Sequence, residues 1–214
     1  MLTVRTAAGV RPAGKEVCPM ERNFETVMVE QCAPVLAGLK PANLFRHETR
    51  DRAALEGAVA GWNAQFAPKG LRLLILKECP RGSWYLVYLY RPARLGAVLA
   101  QPEVADFLRG EGYCLPGDPG SPAGCEALLA QLAGRLACDG AFPHEIGVFL
   151  GYPLGDVVGF IANRGQNFTC CGCWKSYSDP DAARRHFAQL NKCTAIYLRL
   201  FHSGRPILRL AVAV

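Results

Sequence analysis

Apolar residues recur along this chain at two spacings, one helical and one alternating or continuous, and the change of spacing marks the elements. In NFETVMVEQCAPVLAGLK, Phe24, Val27, Met28, Cys32 and Val35 share a helical face, which Pro34, Gly38 and Pro41 then break up. NLFRH reads as a short strand. RDRAALEGAVAGWNAQF reads as a second helix with Leu55, Val59 and Trp62 on one side. LRLLILKE and SWYLVYLY are rich in β-branched and aromatic residues and flank CPRG, so they predict a hairpin of two well-buried strands.

Beyond the hairpin, RPARLGAVLAQPEVADFLRGEGY predicts two short helices broken at Pro102, and LPGDPGSPAG a loop. Ser121-Pro122 supplies an N-cap and first-turn proline for a helix through Cys138, with Leu128, Leu129, Leu132 and Leu136 inward. FPHEIGVFLGYP predicts a short helix bracketed by Pro143 and Gly151, with Ile146, Phe149 and Leu150 as core anchors. A second short helix follows over 154–163, then a Cys-rich turn. Asp179-Pro180 opens a long helix in which Phe187, Leu190, Thr194, Tyr197 and Phe201 alternate at spacings of three and four. GRPILRLAVAV reads as a closing strand. There is no internal repeat. The pattern predicts an N-terminal disordered tail over 1–20. A single α+β domain over 21–214 follows, with a small, mostly antiparallel sheet and several packed helices.

Composition sharpens this only in places. A chain of 214 residues, 50% hydrophobic and 20% charged, can bury a sizeable core. No apolar run approaches the ~20 residues of a membrane-spanning helix, and the first twenty residues lack a secretory apolar block. The expectation is a cytoplasmic protein with no membrane insertion, in which most of the ten cysteines are reduced thiols. The net charge of +6 is concentrated in residues 164–214, where eight basic residues face only Asp179 and Asp181. Such a cluster can attract an anionic partner, although a solvated basic helix face is the plainer reading.

Candidate chemistry centres on His144-Glu145. HEIGVFLGYPLGDVVGFI has the rhythm of a helix-turn-helix, but residues 154–163 offer Asp156 and Asn163 and no base before Arg164, which argues against nucleic acid. His144-Glu145 is not a zinc-protease HExxH, since Val148 stands where the second histidine belongs. Thiols at Cys170, Cys171, Cys173 and Cys193, with the His144 imidazole, would suit iron or zinc. The plainer alternative is a tight turn at Gly172 with Trp174 anchoring the next strand. Cys32 with His144 as base, and Glu145 beside it, would make a thiol enzyme. Cys32 falls near a helix C-terminus, however, where the dipole disfavours a thiolate.

Several stretches together, QCAPVLAGLKPANLF, FPHEIGVFLGYP, DVVGFIANRG, CCGCWKSYSD, NKCTAIYLRLF and GRPILRLAVAV, resemble the bacterial family known as domain of unknown function 3793. The resemblance runs from about Phe24 to the C-terminus. The residues matching its motifs are Cys32, Lys40, Asn43, His144, Glu145, Cys171, Trp174, Lys175 and Cys193, while Cys173 stands where the family varies. The family has no established activity. Its occurrence in clostridia and other anaerobes, with relatives encoded near flavodoxins and ferrous-iron transport components, implies an iron- or redox-linked role. The expectation is therefore a protein that binds a metal ion through Cys171, Cys193 and His144, or an anionic small molecule through Lys40, Asn43, Trp174, Lys175 and Arg185. A redox protein is the expected kind of macromolecular partner. A Cys32–His144 thiol enzyme and a helix-turn-helix regulator are the alternatives.

Overall fold

The computed structural model describes residues 23–80, 83–137 and 142–213. The expected tail over 1–20, the second half of the CPRG turn and the end of the helix at Cys138 lie outside them. Element by element, local chemistry sets where helices begin. α1 (Phe24–Leu36) starts at Asn23, whose side chain accepts from the Glu25 N–H at 2.9 Å. β1 (Ala42–His47) follows, and α2 (Arg52–Phe66) is capped by Asp51 accepting from the Ala54 N–H at 2.8 Å. β2 (Arg72–Glu78) and β3 (Tyr85–Tyr90) form the expected hairpin. α3 (Pro92–Leu99), α4 (Pro102–Gly110) and α5 (Pro122–Ala137) each begin on a proline, which lacks the N–H that a first helical turn leaves unbonded anyway. Ser121 accepts from the Gly124 N–H at 3.0 Å and so closes the start of α5.

The remaining elements are α6 (Ile146–Phe149), α7 (Leu154–Ala162), the two-residue strands β4 (Cys170–Cys171) and β5 (Lys175–Ser176), α8 (Pro180–His202) and α9 (Ile207–Leu210). The main sheet is antiparallel in the order β1-β3-β2. Its central strand is the near-continuous apolar run YLVYLY, as a strand covered on both faces requires. Alternation sends Phe45, Leu73, Tyr85, Val87 and Leu89 into one core with α1, α2, α8 and α9. Leu76, Tyr88 and Tyr90 enter a second core with α3 to α7. The architecture is a single α+β domain in three layers, helices packing on both faces of a small sheet.

Two local readings are corrected. GRPILRLAVAV is not a strand: Ile207–Leu210 form one helical turn. Pro206 starts it, and the following Val212 N–H donates at 3.0 Å to the Leu36 carbonyl at the end of α1 instead of to a sheet edge. Nor does Pro34 end α1. It sits inside the last turn, and its free carbonyl accepts the N–H groups of Leu39 at 2.8 Å and Lys40 at 3.1 Å. Gly38, at φ +73°, makes that reversal possible, giving a helix end closed by both the 6→1 and 5→2 bonds.

Arg91 locks these ends together. It is 1% exposed, and its guanidinium donates to the carbonyls of Val35, Leu36, Lys69 and Val212 at 2.7 to 3.2 Å. A fully buried cation is tolerated here because every acceptor is a partly negative carbonyl, two of them at a helix C-terminus. In the second core, the Tyr88 hydroxyl donates to the Phe149 carbonyl and ties the sheet to α6.

Candidate functional site

The reversal after α1 has a consequence for Lys40. It carries the side chain back into a cleft of about 410 Å³ walled by the α1–β1 turn, the α6–α7 corner, the β4–β5 hairpin and α8. Lys40 is 7% exposed. Its ammonium donates to Asn43 Oδ1 at 3.1 Å and lies 5.1 Å from the Tyr152 ring centroid. The Asn43 amide is itself oriented, because its NH₂ donates to the Gln31 carbonyl. Among the ion pairs of the described residues, none includes Lys40. Burial pulls the Lys40 ammonium down to about 8, against the opposing influence of the Cys32 and Cys173 thiols. The C-terminal end of α1 favours a cation by only ~0.3–1 kcal/mol, too little to offset that burial.

Opposite Lys40 stands an aromatic wall. Tyr152 follows Gly151, whose φ of +73° closes α6 and whose Cα lies against Pro41 so closely that a Cβ would come within 2.2 Å of the Pro41 Cγ. Tyr152 and Trp174 stack with centroids 4.8 Å apart and planes 24° apart. Phe187 of α8 meets the Trp174 ring edge-on at 4.6 Å. Burial pushes the Tyr152 hydroxyl up to about 12, so it remains a donor near neutrality.

The hairpin that presents Trp174 hangs on one carboxylate. Asp156, 2% exposed in the first turn of α7, accepts from Trp174 Nε1 at 2.7 Å, Ser176 Oγ at 3.1 Å, and the N–H groups of Tyr177 at 2.8 Å and Ser178 at 3.2 Å. Both oxygens are thus engaged, with a helix N-terminus behind them. Lys175, next along the hairpin, donates to the Gly165 carbonyl at 2.6 Å and lies 4.8 Å from the Phe168 ring centroid. His144 sits at the cleft between Phe142 and Phe160, at 5.8 and 4.9 Å between centroids. Burial pulls its imidazole below the usual range and Glu145 opposes the shift.

Of the residues singled out in the sequence, Lys40, Asn43, His144, Cys171, Trp174 and Lys175 line this one cleft. Glu145 faces elsewhere: it is 4% exposed and accepts from Tyr113 Oη at 3.2 Å and Arg135 Nη1 at 3.3 Å. Cys32 is fully buried in α1 and outside the cleft lining, and burial pushes its thiol up, with Lys40 opposing. Cys193 is buried on α8, also outside the lining, and Arg185 is exposed on the outer face of that helix. Among the described residues no group of three or more His, Cys, Asp or Glu side chains could hold a metal ion. The set Cys171, Cys193 and His144 does not gather, because α8 turns Cys193 into the core while Cys171 and His144 stay at the cleft. The hairpin takes the plainer form, a tight turn through Gly172, whose N–H donates to the Trp174 carbonyl at 3.0 Å. The helix-turn-helix pattern contains a first helix of only four residues, too short to brace a reading helix.

Sequence reasoning passed over Tyr152 and Asp156 as site residues, while Cys173, one of the candidate thiols, also faces the cleft. Asp156 had a signal, a lone carboxylate in the apolar run LGDVVGFIA, which has to find donors if its helix is buried. Tyr152 had none beyond its place in FPHEIGVFLGYP. The model of the family described as Protein of unknown function (DUF3793) matches residues 28–211. No curated protein and no solved structure matches the chain. Among the described residues, no helix is long and apolar enough to cross a membrane.

Proposed function

The chain belongs to that family, and we propose that its cleft binds a small anionic molecule with a flat apolar portion. The observation that carries the reading is Lys40, an ammonium buried, among the described residues, without a carboxylate partner and with Asn43 Oδ1 as its hydrogen-bond acceptor. A buried ammonium wants more acceptors than that, and an incoming anion supplies them. Lys175 adds a second cation to the same lining. Of the carboxylates at the cleft, Asp156 is saturated by four donors and Glu30 stands half-buried on α1. The Tyr152–Trp174 stack offers a flat apolar face beside these charges. The cleft volume suits a small molecule, within the ~300–1,000 Å³ usual for such sites.

Titration with benzoate, oxalate and pyrophosphate, followed by tryptophan emission, tests the proposal. Benzoate, which pairs a carboxylate with a ring, is expected to quench Trp174, and Trp174→Phe to abolish the signal. A charge-assisted contact contributes ~1.5–3 kcal/mol, so Lys40→Met should weaken binding roughly 10- to 100-fold. If none of the three anions alters Trp174 emission, or if Lys40→Met binds as tightly as wild type, the reading is wrong.

A further inference from the structure

Resting on that reading and going further, we infer that Lys40 is a nucleophile that forms an imine with a ligand carrying both an aldehyde or ketone and an anionic group. Four features of its setting suit an amine that attacks carbon. The nitrogen is buried, so hydration does not hold the charged form. No carboxylate pairs with it among the described residues, whereas an ion pair would fix the proton on nitrogen. Asn43 Oδ1 accepts one N–H and, being oriented by the Gln31 carbonyl, holds the amine in one place at the cleft lining. Burial raises the Cys32 and Cys173 thiols and so keeps them protonated near neutral pH, and Asn43 and the Tyr152 ring carry no charge. The half-buried Glu30 also lines the cleft. The depression of its basicity to about 8 is the expected result of such a site, as in lysines that work as amines at physiological pH.

The step balances without an oxidant or reductant. The neutral Lys40 amine donates its electron pair to the carbonyl carbon. The π pair of the C=O bond moves to oxygen, and the proton lost from nitrogen goes to that oxygen. The nitrogen pair of the resulting carbinolamine then forms C=N, while oxygen leaves with a second proton as water. Lys175, on the same lining, holds the ligand's carboxylate or phosphate.

The test uses the full chain with glyoxylate, the smallest aldehyde bearing a carboxylate, and cyanoborohydride to reduce the imine to carboxymethyl-lysine. Peptide mapping compares Lys40 with Lys69, Lys77 and Lys192 of the same molecule. At about pH 7.5, an amine titrating near 8 has on the order of a hundred times the neutral fraction of an ordinary lysine. Lys40 is therefore expected to be modified at least roughly tenfold faster than the references. Asn43→Asp places a carboxylate on the amine and should slow Lys40 alone by about tenfold, with the melting temperature confirming a folded variant. Modification of Lys40 no faster than Lys69, Lys77 and Lys192, or a rate indifferent to Asn43→Asp, overturns the imine. Benzoate quenching of Trp174 in the same samples separates the two ideas. Quenching with an unmodified Lys40 overturns the imine and leaves anion binding standing. Rapid modification without quenching supports the reactive amine and overturns the flat-anion reading.

Discussion

Replacing Asp156 by asparagine changes one carboxylate oxygen to an NH₂ group, yet it reaches the whole hairpin that presents Trp174 to the cleft. Asp156 Oδ2 accepts from Trp174 Nε1, and Oδ1 from Ser176 Oγ and the Tyr177 and Ser178 N–H groups. In asparagine the Oδ1 bonds survive as neutral ones, about half as strong as their charge-assisted counterparts. The new NH₂ meets the indole N–H donor to donor, which leaves a half-buried donor unsatisfied at a cost of ~1–3 kcal/mol. The lower desolvation of a neutral amide offsets part of the loss, so the net destabilisation should be about 2–4 kcal/mol. For a chain of this size each kcal/mol shifts the melting temperature by ~2–4 °C, giving roughly 5–15 °C in all. Urea unfolding followed by far-ultraviolet circular dichroism measures the stability, and tryptophan emission reports whether Trp174 has left the Tyr152 ring. Stability within about 1 kcal/mol of wild type, with unchanged Trp174 emission, would refute the role given to Asp156.

Arg91→Met should cost about 2–4 kcal/mol in urea unfolding, since it removes charge-assisted donors from four carbonyls, of which Val35 and Leu36 keep the Gly38 and Val212 N–H groups while Lys69 and Val212 lose their side-chain donor. A near-neutral result would mean that water replaces the guanidinium. Gly151→Ala combines a left-handed φ of +73° with a Cβ 2.2 Å from Pro41 Cγ, so it should cost about 2–4 kcal/mol. Adding Pro41→Ala should recover the overlap and leave only the ~1 kcal/mol of backbone strain. Lys40→Met tests the burial of the amine through pH. The folded-state value of about 8 lies below the ordinary 10.5, so the unfolded chain binds more protons between the two and wild-type stability gains with rising pH there. The advantage of Lys40→Met at neutral pH should therefore shrink by roughly 3 kcal/mol from pH 8 to 10.5, and a constant gap would show an unperturbed amine.

Helix starts and the central strand were legible in the chain because their causes are local. Asn23, Asp51 and Asp179 accept from N–H groups two or three residues on, and prolines at Pro92, Pro102, Pro122 and Pro180 open helices whatever the rest of the molecule does. YLVYLY announces a strand covered on both faces, since no alternation is left for a solvent side. The repeat from Phe187 to Phe201 likewise marked the face of α8 that packs inward. The site residues were partly legible as residue types in family-like motifs, but not as a site. Lys40, His144, Trp174 and Lys175 meet only because the sheet, α6 and the β4–β5 hairpin bring together segments about a hundred residues apart.

Where the tertiary structure decided, it did so through partners that no local window contains. PILRLAVAV has strand-like composition, yet the end of α1 and the Arg91 guanidinium offered its backbone better partners than a sheet edge did. Cys193 and Glu145 looked like chemistry in the sequence and became core packing and a half-buried ion pair, because helix rotation sets which way a side chain faces. Arg91 looked ordinary and Asp156 stood out only as a lone carboxylate in an apolar run, and each became the hub of four hydrogen bonds. The sequence alone determined the elements and the placing of most apolar faces, for which spacing and capping suffice. The cleft, and the burial of an amine that no carboxylate of the described residues pairs with, followed only from how those faces closed on one another, since burial and charge pairing are properties of the packed whole.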